Sequence, residues 1–151
     1  MTIALLTGSN PLAYTAYSYI YTANRTFPTL SFGFSAPSNM FLYLDDVSVV
    51  DTSNSSAQLL NNPTFAASST AASGWDAWCS NMCVNGSVGI VSTTSCLTDN
   101  CYRGQCTSTN TDYLVQTFPA IIGRTYNITF YLQRLKGAGP GSPTTLFVGI
   151  M

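Results

Sequence analysis

Acid–base catalysis calls on groups that titrate near neutrality, and the 151 residues contain no His. All six acids are Asp, two of them adjacent at Asp45 and Asp46. They lie in Phe41 to Val50, where Tyr43, Asp45, Val47 and Val49 alternate with Leu44, Asp46, Ser48 and Val50, the period of a half-buried strand with Val47 and Val49 on the core side. That alternation sends the two carboxylates to opposite faces, the wrong arrangement for a cooperating pair, and the thiols have no His to activate them. The chain does not read as an enzyme. Asp45 is expected to point inward, where a carboxylate needs either backbone donors or a hard cation such as calcium.

The cysteines carry the next chemistry. Cys79, Cys83, Cys96, Cys101 and Cys106 crowd into 28 positions. Their spacings miss the C-x₂-C pairs of a thiolate zinc site and no His can complete one, so disulfides are expected, with one thiol of the five left over for another part of a longer precursor. Which cysteines pair does not follow from the spacing; Cys101 and Cys106 bracket an expected hairpin turn at Arg103-Gly104. N-glycosylation sequons stand at Asn24, Asn54, Asn85 and Asn127. Cysteines and sequons together predict an extracellular protein, secreted or on the cell surface. Met1 to Leu6 has no basic segment or cleavage pattern of a signal peptide, consistent with a piece of a longer precursor.

A third chemistry is sugar recognition, which takes flat apolar rings against C–H faces and amides or hydroxyls for hydrogen bonds. Trp75, Trp78, Tyr102, Tyr113, Tyr131 and Gln133 are the candidates. Tyr131 and Gln133 are the better placed, because strand alternation turns them outward, on the same face as Asn127.

Composition limits the partners. Charged residues are 7% of the chain and the net charge is −1, so there is no basic footprint for nucleic acid. No apolar run approaches the ~18 residues of a membrane span, so membrane insertion is not expected. With 46% hydrophobic and 13% aromatic residues, the low charge signals a folded domain.

The elements that position these residues read as strands throughout. Tyr14 to Thr22 is rich in aromatic and β-branched residues; Thr29 to Ser35 alternates, with Leu30, Phe32 and Phe34 on one face; Phe41 to Val50 follows. Residues 51–57 are polar and linker-like. Leu59 to Phe65 reads as a short strand with a turn, and Tyr113 to Phe118 as a strand. In Thr125 to Leu135, Tyr126, Ile128, Phe130 and Leu132 face the core, and Thr144 to Met151 closes the chain. Nothing argues for a long helix, so the fold class is all-β.

The motifs Leu59-Leu60-Asn61-Asn62-Pro63-Thr64-Phe65, Gly74-Trp75, Tyr113 to Phe118, Gly123 to Leu132 and Leu44-Asp45-Asp46-Val47-Ser48-Val49 resemble the opening, middle and closing motifs of galactose-binding-like jelly-roll modules, the xylan- and glucan-binding carbohydrate modules among them. The order is permuted, since the closing motif precedes the opening one. Residues 1–50 resemble the C-terminal half of a module and 58–151 the N-terminal half, joined by 51–57. A window across a tandem array or a circular permutant would both give this order. The two halves are expected to close one jelly-roll β-sandwich, with neighbouring modules of the same precursor as partners.

The resemblance implies a structural calcium held partly by Asp45, although Ala66 stands where the family carries an acid. It implies a non-catalytic carbohydrate-binding module with a glycan partner. The alternative is a structural or adhesive extracellular spacer with no small ligand.

Overall fold

Alternation is cleanest in two stretches, and both form the strands their patterns predict. In β3 (Thr29–Ser35), Leu30, Phe32 and Phe34 are buried, and in β10 (Thr125–Lys136) so are Tyr126, Ile128, Phe130 and Leu132. A computed structural model of the chain describes residues 1–8, 13–37, 40–80, 88–105, 110–136 and 143–151. Among these, the other strands are β1 (Thr2–Gly8), β2 (Thr15–Thr22), β4 (Met40–Asp51), β5 (Asn54–Gln58), β6 (Asp76–Cys79), β7 (Ile90–Ser92), β8 (Cys101–Arg103), β9 (Asp112–Thr117) and β11 (Thr144–Ile150). No described residue is helical.

The strands make two antiparallel sheets packed as a β-sandwich. One has five strands in the order β1-β11-β3-β9-β6; the other runs β2-β10-β4-β8-β7, with β5 also on β4. β11 lies between β1 and β3, and β10 between β2 and β4, so strands from 1–50 and 58–151 are neighbours in both sheets. Aromatic rings bridge the layers. Phe32 of β3 meets Phe130 of β10 edge-to-face at 5.2 Å, and Phe34 meets Tyr102 of β8 at 5.4 Å. Such pairs add about 0.5–1.5 kcal/mol to the burial of the rings themselves.

Four local expectations are corrected. Asp46 and Val47 together oppose Phe130, a β-bulge that shifts the register from Thr129↔Ser48 to Tyr131↔Asp45. Asp46 takes a positive φ of 46° there, a conformation Asp tolerates better than most residues. Leu42 and Leu44 therefore join Val47 and Val49 in the core, while Asp45 turns to the outer face of the sheet. The polar stretch 51–57 is no free linker, because β5 folds back on β4 with Val50 opposite Gln58. Leu59 to Phe65 is irregular: Asn62 and Phe65 have positive φ, although Leu60 and Phe65 are buried. Arg103-Gly104 is not a hairpin turn, since Arg103 ends β8 opposite both Tyr43 and Ile90.

Candidate functional site

Register across the five-stranded sheet brings residues from five strands into one row. Trp78 pairs with Tyr113, Tyr113 with Gly33, Gly33 with Phe147 and Phe147 with Leu5. Leu114, Phe32 and Phe34, Leu146 and Val148 are buried beside these positions, so the row lies on the outer face. Trp78 is 42% exposed and Leu5 60%. The Trp78 and Tyr113 rings stack at 5.5 Å with 22° between their planes.

Glycines let the rings lie down on the sheet. A Cβ on Gly33 would come within 3.0 Å of the Tyr113 ring, and one on Gly149 within 2.8 Å of the Phe147 ring. In the adjoining row Val115, Ser31, Gly149 and Thr2 pair in turn. The result is a shallow trough of about 370 Å³ whose lining includes Trp78, Tyr113, Phe147, Ser31, Thr2 and Gly149. Its lining has hydroxyls and flat rings but no charged side chain. Chemically its side chains can stack an apolar face and hydrogen-bond neutral groups; Met1, whose ammonium donates to the Ile150 carbonyl, and Met151 line it as well.

The other ring candidates lie elsewhere. Trp75 is interior: its Nε1–H donates to the Asn62 carbonyl at 3.1 Å, and its ring packs on Phe65 and Phe32 at 5.6 and 6.3 Å. Tyr102 is fully buried and donates its hydroxyl to Asp112 at 3.0 Å. Little of either ring is exposed, and both border a separate cavity of about 380 Å³ beside Gly89 and Val91. Tyr131 and Gln133 are half-buried on the outer face of the opposite sheet, paired with Asp45 and Tyr43. Asn127 is on that face too and accepts a hydrogen bond from the Ser18 hydroxyl at 2.8 Å. Asn24 and Asn54 are exposed.

Asp45 is buried on the outer face because residues 95–98 cover it. Its Oδ1 accepts from the Asp46 N–H at 2.8 Å and the Thr98 hydroxyl at 3.2 Å; its Oδ2 accepts from the Leu97 and Thr98 N–H groups at 2.8 and 3.1 Å. Cys96–Cys101 closes the covering loop with a disulfide, Cα atoms 5.3 Å apart, and Tyr14 donates its hydroxyl to the Ser95 carbonyl. Burial raises the pKa of Asp46, with the neighbouring Asp45 charge adding to it, and burial likewise raises that of Tyr14. A carboxylate offers about four lone-pair directions, and four donors take them here. Asp45, Cys96 and Cys101 also cluster within 4.8 Å, but both sulfurs belong to the disulfide. The donor set does not fit a calcium or zinc ion. Cys79 is disulfide-bonded as well, while Cys83, Cys106 and Asn85 lie outside the described residues.

Sequence reasoning missed Phe147, Ser31 and the two glycines. The signal was present in β11, where Thr145, Phe147 and Gly149 alternate with the buried Leu146, Val148 and Ile150. What it lacked was the register that sets Phe147 beside Gly33. No protein-family model, no curated protein and no solved structure matches this chain.

Proposed function

We propose that the chain is a non-catalytic carbohydrate-binding domain of an extracellular protein, and that it takes a neutral glycan on the outer face of its five-stranded sheet. The observation that carries this reading is the stacked Trp78–Tyr113 pair beside the glycine-floored trough. Pyranose rings present apolar C–H faces that stack on aromatic rings, and their hydroxyls bond to neutral groups such as Ser31 and Thr2. The absence of any charged side chain from the lining favours neutral sugars over uronic or sulfated ones. The Cys96–Cys101 disulfide supports an oxidising, extracellular setting.

The test is binding of the disulfide-intact protein to an array of neutral and acidic glycans, with Trp78→Ala, Tyr113→Ala and Tyr131→Ala alongside. Loss of one stacking ring is expected to weaken binding about tenfold, the equivalent of ~1.4 kcal/mol. Tyr131→Ala, on the opposite sheet, is expected to bind as the parent does. A folded protein that binds no glycan, or one that loses binding only in Tyr131→Ala, overturns the reading; the first result leaves the spacer alternative.

A further inference from the structure

Sheet edges present unpaired backbone N–H and C=O groups, and folded proteins guard them with charges, bulges, proline or brevity. Four edges here are guarded. β1 carries a register irregularity between Thr2 and Ala4. β6 has four residues and opens on Asp76, β7 has three, and β5 is a short polar strand, Asn-Ser-Ser-Ala-Gln. β2 has none of these devices. Its eight residues, Thr-Ala-Tyr-Ser-Tyr-Ile-Tyr-Thr, pair with β10 without a break from Thr15↔Leu132 to Thr22↔Thr125. They include no Pro, no Gly and no charge, and the first charged residue of the whole chain is Arg25.

Among the described residues no strand pairs the outer side of β2, and its side chains agree with an open edge. Ile20 is 63% exposed on the outer face. On the inner face Tyr17 and Tyr19 stack on Phe130 at 5.3 and 6.1 Å, yet they stay half-buried where Phe130, one strand further in, is fully buried.

We propose that β2 is a homotypic pairing edge, through which two copies of this chain join antiparallel about a two-fold axis at Ser18. In that register outer-face residues meet outer-face residues and inner meet inner, as the pleat requires. Ser18 meets its own copy, the large exposed Ile20 meets the small Ala16, and Tyr17 meets Tyr19. The strand is thus its own complement, small against large, with no charge to repel. Pairing fuses the two six-stranded sheets and extends the tyrosine row of each core over the other. A two-fold contact uses up both edges, so assembly closes at the dimer. Asn127, one strand in, accepts a hydrogen bond from the Ser18 hydroxyl and so borders the seam. This inference does not depend on what the opposite sheet binds.

Sedimentation velocity of the full chain over a wide micromolar concentration series tests it. The expected result is a species of about twice the 16.2 kDa chain mass that dissociates on dilution. Ser18→Lys sets two ammonium groups against each other at the axis and is expected to be monomeric at every concentration. Ile20→Lys, at a 63% exposed position, is a second disruptor should the first disturb the Ser18–Asn127 hydrogen bond. Leu5→Lys, on β1, is expected to dimerise as the parent does. A parent protein that stays monomeric, a dimer that survives Ser18→Lys and Ile20→Lys, dissociation by Leu5→Lys, or growth beyond the dimer would each overturn the proposal.

Discussion

Asp112 opens β9 with no solvent exposure, accepting hydrogen bonds from the Tyr102 hydroxyl at 3.0 Å and the Gln105 N–H at 3.2 Å. Burial dominates those bonds and raises its pKa from 3.8 to about 6. The folded chain therefore holds this proton more tightly than the unfolded chain does. Stability from the group is complete below about pH 4 and is lost as pH rises through about 6. A shift of roughly two units at ~1.4 kcal/mol each amounts to about 3 kcal/mol between those limits, a large share of a domain's net stability. No His or Glu titrates in this window. Asp46, also raised, acts in the same direction. Asp51 is held down to about 2, chiefly by the Ser53 hydroxyl and N–H and then by Arg124, so what it contributes is lost only as pH falls from about 4 towards 2. Urea unfolding between about pH 7.5 and 4.5 measures the effect. The unfolding free energy is expected to rise by about 2 kcal/mol over that range, the part of the full span developed by pH 4.5, and Asp112→Asn, which cannot titrate, is expected to lose most of that rise whatever its absolute stability. Stability that stays level or falls towards pH 4.5, or an undiminished rise in the Asn variant, would refute the reasoning.

Two further outcomes follow from the same packing. A Cβ on Gly89 would overlap Asp112 Oδ2 and Tyr102 Oη, so Gly89→Ala is expected to cost about 1–3 kcal/mol by chemical denaturation. Asp45→Ala strands the Leu97 and Thr98 N–H donors and is expected to cost about 2–4 kcal/mol, whereas calcium or a chelator leaves the parent's melting temperature unchanged; a calcium-dependent rise would show that the four donors do not define the site.

How much of this was legible in the sequence differs by element. The period-2 patterns of β3 and β10 gave both strands and their core-facing residues, although in β3 Ser31 and Gly33 on the other face are buried too. β6, β7 and β8 are three or four residues long, too short to carry a pattern; β7 and β8 fell inside a stretch legible only as cysteine-rich, and β6 just before it. The candidate face was partly readable, since Trp78 and Tyr113 belong to ring types that suit a sugar. Trp75 and Tyr102 belong to the same types and are interior, because a ring with a hydrogen-bonding tip serves a core as well as a surface.

The residues by themselves determined the all-β class, the near absence of charge, the exclusion of His-dependent chemistry and the core face of the regular strands. Each depends on composition or on neighbours two positions apart. Tertiary structure alone decided the rest. The bulge at Asp46 reverses the face of everything before it in β4, and a one-residue shift cannot be seen in a period-2 pattern until the partner strand is placed. The row from Trp78 through Tyr113, Gly33 and Phe147 to Leu5 joins residues far apart in the chain, and only inter-strand register makes them neighbours. Whether β2 is an edge or an interior strand is likewise a property of strand order, because eight uncharged residues suit either place until the neighbouring strands are counted.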